Sequence, residues 1–177
     1  MTRVELEHAI RTACAIAEDL EVYVIGSQAI LGQYQNANES LRQSVDADIV
    51  PKNKPKNADA IDDEIGEFSI FHQTHGFYVH GLPLEAATLP IGWEERCFKL
   101  QNKNTNQCIG WCLEGHDLAI SKLVAFREKD REFVRTLVKE HLVNKTTLLQ
   151  RVEQLPVEIT LQLQLYDWIQ RTCSELK

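Results

Sequence analysis

The chain has 177 residues, 44% of them hydrophobic and 25% charged, with a formal net charge of −7. That composition suits one packed domain with a helical appendage. The negative balance excludes a broad surface that holds nucleic acid through its phosphates, because such a surface needs many lysines and arginines on one face.

Leu6, Ala9, Ile10, Ala13, Ile16, Ala17 and Leu20 recur at helical spacing, which predicts an amphipathic helix over residues 4 to 19. The apolar and β-branched run EVYVI, ending at Gly26, predicts a buried strand, and SQAILGQY predicts a short helix beginning on Ser27. Residues 35 to 43 are polar and turn-like. In SVDADIV the residues alternate, with Val45, Ala47 and Ile49 on one strand face and Ser44, Asp46 and Asp48 on the other. Lys52, Lys54 and Lys56 follow among Pro51, Asn53, Pro55 and Asn57, which break regular structure, so this local basic patch reads as a solvated loop.

Residues 58 to 71 read as one helix, GFYVHGL as a strand and LPIGW as a turn. From Asp117 the pattern turns helical: Leu118, Leu123, Val124, Phe126, Phe133, Val134, Leu137 and Val138 predict one long helix or two joined near REKD. A helix over residues 146 to 154, a break at Pro156 and a last helix ending near Leu176 complete the chain. ITLQLQL alternates like a strand, but Leu161, Leu165, Trp168, Ile169 and Cys173 share a helical face, and helix is the expectation there.

Cys14, Cys97, Cys108, Cys112 and Cys173 are odd in number and show no CxxC pairing, which fits reduced thiols in a cytosol. MTRVELEHAI has no apolar signal-peptide core, and no uncharged run reaches membrane-spanning length. The expectation is a soluble, cytoplasmic protein with no membrane partner. Asn144, Lys145 and Thr146 match the glycosylation pattern, which carries no meaning without a secretory signal.

Three segments carry candidate chemistry. Asp46 and Asp48, at i and i+2 of one strand, sit about 6 to 7 Å apart along it, so their oxygens can converge on one divalent cation or on a pair roughly 3.5 to 4 Å apart. Hard oxygen ligands select Mg²⁺ or Mn²⁺, with substrate phosphates completing the coordination. The plain structural alternative is a polar strand face with two solvated acids. Gly26 and Ser27, where a strand turns into a helix, offer close backbone approach and hydrogen-bond donors to a phosphate; alternatively Gly26 is a turn residue and Ser27 an N-cap. In HDLAISKLVAFREKDREF, Lys122 and Lys129 lie two helical turns apart if the helix is continuous, with Arg127 and Asp130 beside them. Such a cluster can neutralise a triphosphate, or it is a solvent-facing helix laced by ion pairs.

The order of Gly-Ser, then LRQSVDADI, then HDLAISKLVAFREKDREFV resembles the polymerase-β-like nucleotidyltransferase superfamily, specifically the AbiEii-like toxin class and a closely related bacterial family. The resemblance covers most of residues 20 to 143 and extends to the intervening HGLPLEAATLPIGWEER. It implies an α/β fold: a minimal nucleotidyltransferase core with a mixed β-sheet flanked by helices over residues 1 to 115, with a C-terminal helical region over 116 to 177 packed on it as one compact unit. It also implies Mg²⁺- or Mn²⁺-dependent transfer of a nucleoside monophosphate from a nucleoside triphosphate to an RNA or protein hydroxyl, with an antitoxin protein as a partner. Carried over by position, Gly26 and Ser27 match the phosphate motif and Asp46 and Asp48 the catalytic metal motif. Lys122, Arg127 and Lys129 match the basic nucleotide-binding motif, and Asp130 matches the catalytic acid that follows it.

One departure accompanies the resemblance. Members of the superfamily place a third carboxylate on a later core strand, whereas GFYVHGL offers His80; Glu64, Glu67 and Glu85 are near it in sequence only. The alternative function is therefore a catalytically degenerate module that binds a nucleotide or a partner. Zinc, from His72, His75, His80, Cys108 and Cys112, is not supported by the spacing, and for a Cys-His nucleophile built on Cys97 or Cys108 no orienting group singles one out.

Overall fold

The computed structural model describes residues 1–176. Helix α1 (Arg3–Ala17) begins at Thr2, whose hydroxyl accepts from the Glu5 N–H while the Glu5 carboxylate accepts from the Thr2 N–H, a reciprocal cap that satisfies two otherwise orphaned donors. Its face of Leu6, Ala9, Ile10 and Ala13 is wholly buried. Strand β1 (Glu21–Val24) leads through a 3-10 turn (Ser27–Ala29) into the short α2 (Ile30–Gln33). Strand β2 (Asp46–Pro51), helices α3 (Ala58–Ile65) and α4 (Ile70–His75) and strand β3 (Tyr78–Gly81) follow. Next come α5 (Trp93–Arg96), β4 (Phe98–Leu100) and β5 (Ile109–Cys112). The chain continues through α6 (Gly115–Ala125), α7 (Glu128–Lys139), α8 (Lys145–Glu153) and α9 (Ile159–Glu175).

The strands form one mixed five-stranded sheet in the order β3-β2-β1-β5-β4. β1 runs parallel to β5 and antiparallel to β2, β2 runs parallel to β3, and β4 is antiparallel to β5. The α/β fold with helices flanking a mixed sheet is thus present. One sheet face carries Val24, Ala47, Ile49, Val79 and Cys112, all buried, and meets α1 at Gly110 and α3 at Gly81. The start of β1 is tied to the loop after β2 by Asp19, 4% exposed. Its carboxylate accepts from the backbone N–H groups of Glu21, Asn53 and Lys54 and from the Asn53 side chain.

The chain divides into two units, Met1–Ala86 with Cys97–Leu113, and Ala87–Arg96 with the residues from Glu114 onward. The division by sequence assigned Ala87–Arg96 to the first region; it groups with the second because Arg96 is bound there. Both oxygens of the fully buried Asp117 accept from the Arg96 guanidinium, at 2.7 and 2.9 Å. Arg151 Nε lies 3.0 Å from Asp117 Oδ1, within ion-pair range though not aligned as a hydrogen bond. At the same helix start, His116 is 2.7 Å from Glu114 through Nδ1 and accepts from the Asn144 N–H through Nε2.

Several elements differ from the pattern reading. The single helix over 58 to 71 is two: α3 stops at Gly66, where a β-carbon would stand 2.2 Å from the Asp62 carbonyl oxygen, and the chain then passes through Phe68 at φ 67°. The helical run after Asp117 is also two helices, because Phe126 closes α6 at φ 53° and Arg127 caps α7. Phe126 is held there by an edge contact with Trp168 and by the Arg131 guanidinium over its ring. Lys52 is not a solvated loop residue: it pairs with Glu21 at 2.7 Å and lies over the Trp111 ring. Strands β4 and β5 have no counterpart in the pattern reading, and α9 is the helix expected of its apolar face.

Candidate functional site

The face of β2 opposite the core carries Asp46 and Asp48, alternating with the buried Ala47 and Ile49. β3 pairs with β2 in parallel register, Asp46 beside Tyr78 and Asp48 beside His80. Register partners in neighbouring strands project to the same side, so these four side chains share one half-buried polar face. The expectation that Asp46 and Asp48 share one strand face is met within the first unit; Tyr78 and His80 are added by the pairing with β3.

Gly26 belongs to the same place. It lies past the end of β1, held by the Ile25 N–H donating to the Asp48 carbonyl at 3.0 Å, and a β-carbon on it would stand 2.1 Å from Asp48 Oδ2 and 2.7 Å from Asp48 Cγ. Its backbone is ordinary, φ −86° and ψ −173°. Glycine is required because the Asp48 carboxylate occupies the space of a side chain, not because the backbone is strained. Ser27 opens the 3-10 turn, and Gly26 is its cap with no side-chain cap bond, so Ser27 is not the N-cap. The next residue, Gln28, is fully buried and donates from Nε2 to the Ser44 carbonyl at 2.9 Å, which ties this turn to the segment entering β2. Ser44 in turn donates its hydroxyl to Asp46 Oδ1.

The charge of this face is negative. Burial, followed by the charges of Asp46, Glu67, Asp48 and Asp62, raises the Tyr78 phenol above its ordinary pKa. A divalent cation fits such a face better than a bare anion does. Among the described residues no group of three or more His, Cys, Asp or Glu side chains is arranged to hold a metal ion. A Mg²⁺ or Mn²⁺ at two carboxylates would take phosphate oxygens and water as its other ligands, the usual manner of Mg²⁺, and Asp46 and Asp48 supply donors of that class. They do not fit a self-contained metal cage.

Two residues of this face carry weight that the sequence did not assign. His80 Nδ1 lies 3.0 Å from Asp62 Oδ1 of α3. The Tyr78 ring packs edge-on to His80 at 5.0 Å and against His72 at 4.7 Å. The matching alternation of DAD and YVH was a signal available in the sequence; the pairing with Asp62 was not.

The remaining candidates belong to the second unit. Lys122, in the last turn of α6, lies over the Phe133 ring at 6.0 Å, and Lys129 is exposed on the first turn of α7. Because the helix is interrupted at Phe126, they do not share one continuous helical face. Asp130 is 2% exposed and its carboxylate accepts from Arg127 at 2.6 and 3.2 Å, which places the pair at the α7 N-terminus, where an acid is favoured. Cys14, Cys108, Cys112 and Cys173 are buried, and burial pushes Cys112 up to about 12 and Cys14 higher still, which suppresses the thiolate a nucleophile needs at those two.

Among the described residues no helix is long and apolar enough to cross a membrane. No curated protein and no solved structure gives a match to the chain. The family model described as "Nucleotidyltransferase of unknown function (DUF6036)" matches residues 4–167, a span that contains Gly26, Asp46, Asp48 and His80. The chain therefore belongs to that nucleotidyltransferase family, and the substrate this membership implies is a nucleotide.

Proposed function

We propose that this protein is a divalent-cation-dependent nucleotidyltransferase that moves a nucleoside monophosphate from a nucleoside triphosphate to a hydroxyl of an RNA or protein acceptor. The observation that carries the proposal is the seating of the Asp48 carboxylate against Gly26. It sets Asp48 of β2 beside the Gly26-Ser27 turn, with Asp46 two residues before it on the same strand face, so one substrate can meet both. Asp46 and Asp48 hold the cation, while Gly26 and Ser27 admit the polyphosphate. Held by Asp46 and Asp48, a Mg²⁺ or Mn²⁺ would supply neutralisation of phosphate charge and acidification of the attacking hydroxyl. The proposal rests on the first unit and does not need Lys122, Arg127, Lys129 or Asp130.

A toxin role with a cognate antitoxin protein, as in the AbiEii-like class, rests on motif order alone and is tested by growth arrest on expression, relieved by a neighbouring gene product. The degenerate binding module is favoured by one observation: among the described residues no third ligating side chain is grouped with Asp46 and Asp48.

The deciding experiment incubates the protein with each α-labelled triphosphate, Mg²⁺ or Mn²⁺, and total cellular RNA and protein. Labelling that disappears in Asp46→Asn and Asp48→Asn supports the transferase. Nucleotide binding without labelling supports the module, and absence of both overturns the assignment of this face.

A further inference from the structure

The proposed transfer, on which this inference rests, requires a proton to leave the acceptor hydroxyl as its oxygen attacks phosphorus. The face that carries Asp46 and Asp48 also carries one imidazole. His80 stands beside Asp48 in the parallel β2 and β3 ladder, and adjacent strands are about 4.8 Å apart. Imidazole is the side chain best suited to exchange a proton near neutrality.

The ring is also oriented. An ionised carboxylate can only accept, so the 3.0 Å contact with Asp62 fixes the proton of His80 on Nδ1. Nε2 makes no hydrogen bond among the described residues, which leaves it as the basic nitrogen. Stability does not explain the pair: its side chains are 34% and 50% exposed, and such ion pairs contribute about 0 to 1 kcal/mol.

We propose that His80 is the general base of the transfer and Asp62 its positioning residue. The acceptor oxygen forms a bond to the α-phosphorus while its proton passes to His80 Nε2. The bond from the α-phosphorus to the bridging oxygen breaks, and its electron pair leaves with pyrophosphate. Asp62 stabilises the imidazolium until it returns the proton to solvent.

The test compares wild type with His80→Ala, His80→Asn and Asp62→Asn in two assays. One is calorimetric binding of a non-hydrolysable α,β-methylene nucleoside triphosphate with Mn²⁺; the other is label transfer from α-labelled triphosphates to total cellular RNA and protein. The expected result for His80→Ala is unchanged analogue binding with transfer slowed by about 10² to 10⁴, the range for loss of a general base, and partial recovery in added imidazole. His80→Asn, which can still donate to Asp62 but takes up no proton, is expected to be as slow as His80→Ala. Asp62→Asn is expected to lose less and to be insensitive to imidazole. Transfer at the wild-type rate in His80→Ala, full activity in His80→Asn, or a slow His80→Ala that imidazole does not recover overturns the base while the transferase reading stands. A wild type that binds the analogue and transfers nothing overturns the base and leaves a nucleotide-binding module. A wild type that neither binds nor transfers overturns the underlying reading itself.

Discussion

A β-carbon on Gly26 would stand 2.1 Å from Asp48 Oδ2, so the turn after β1 and the acid of β2 are sterically one feature. Gly26→Ala must displace the Asp48 carboxylate. Overpacking of this kind costs about 1 to 3 kcal/mol, so a folded protein with a lower melting temperature is expected. Binding of Mn²⁺ and a triphosphate analogue should weaken at least about tenfold, or about 1.4 kcal/mol. Calorimetry that finds wild-type affinity would remove Asp48 from the site.

Asp46→Asn and Asp48→Asn should separate function from stability. Neither acid is buried in the core, and removing one charge from a face that already carries Asp62 and Glu67 relieves repulsion. The expected melting temperature without ligand is equal to or above that of wild type. Mg²⁺ with a triphosphate analogue at a hundredfold excess over its Kd should stabilise wild type by about 2.7 kcal/mol and leave both variants unmoved. Equal ligand stabilisation in wild type and variants would show that the nucleotide sits elsewhere.

Asp117 supports folding of the second unit. It is fully buried between Arg96 and Arg151, and removing one partner of a buried ion pair costs about 3 to 5 kcal/mol, because the opposite charge is left without compensation. Asp117→Asn should lower the urea midpoint accordingly. A midpoint within error of wild type would mean that the arginines find other partners.

Acid should weaken the fold through Asp19, Glu7 and Glu114. Burial alone would raise each carboxyl, but hydrogen bonds outweigh it: from Asn53 and nearby N–H groups to Asp19, from Asn104, Asn102 and Arg3 to Glu7, and from His116 and the α6 N–H groups to Glu114. All three therefore lie below their ordinary values of 3.8 for Asp19 and 4.5 for the glutamates. A carboxyl lowered on folding stabilises above its unfolded pKa, and that contribution is lost as pH falls through the folded value. Urea midpoints should hold above pH ~5 and fall progressively below it. The fall should be shallower in Asp19→Asn, which is already destabilised at neutral pH by about 1.5 to 3 kcal/mol.

Much of this fold was legible along the chain because the cause was local. The apolar stripe of α1, the alternation of Asp46 and Asp48 with Ala47 and Ile49, and the helical face of α9 are set by periods of 3.6 and 2 acting on neighbouring side chains. The breaks at Gly66 and Phe126 were harder to see: a pattern records which residues are apolar, not that Phe126 is held at positive φ by Trp168 and Arg131. Strand β5 lay hidden because it is short and its Gly110 looks like a breaker; Ile10 of α1 occupies the space a side chain would take there.

The candidate site divides the same way. The expectation of a metal-bound phosphate could be formed from the residue types at Gly26, Ser27, Asp46 and Asp48 and their spacing, because donor type and strand periodicity are local to the sequence. That Gly26 accommodates Asp48, that His80 stands beside it and that Asp62 holds the ring are set by the pairing of β2 with β3 and the packing of α3. These contacts join residues 18 to 32 positions apart in the chain, and a hydrogen bond or a steric contact depends on proximity in space, which only the tertiary fold supplies.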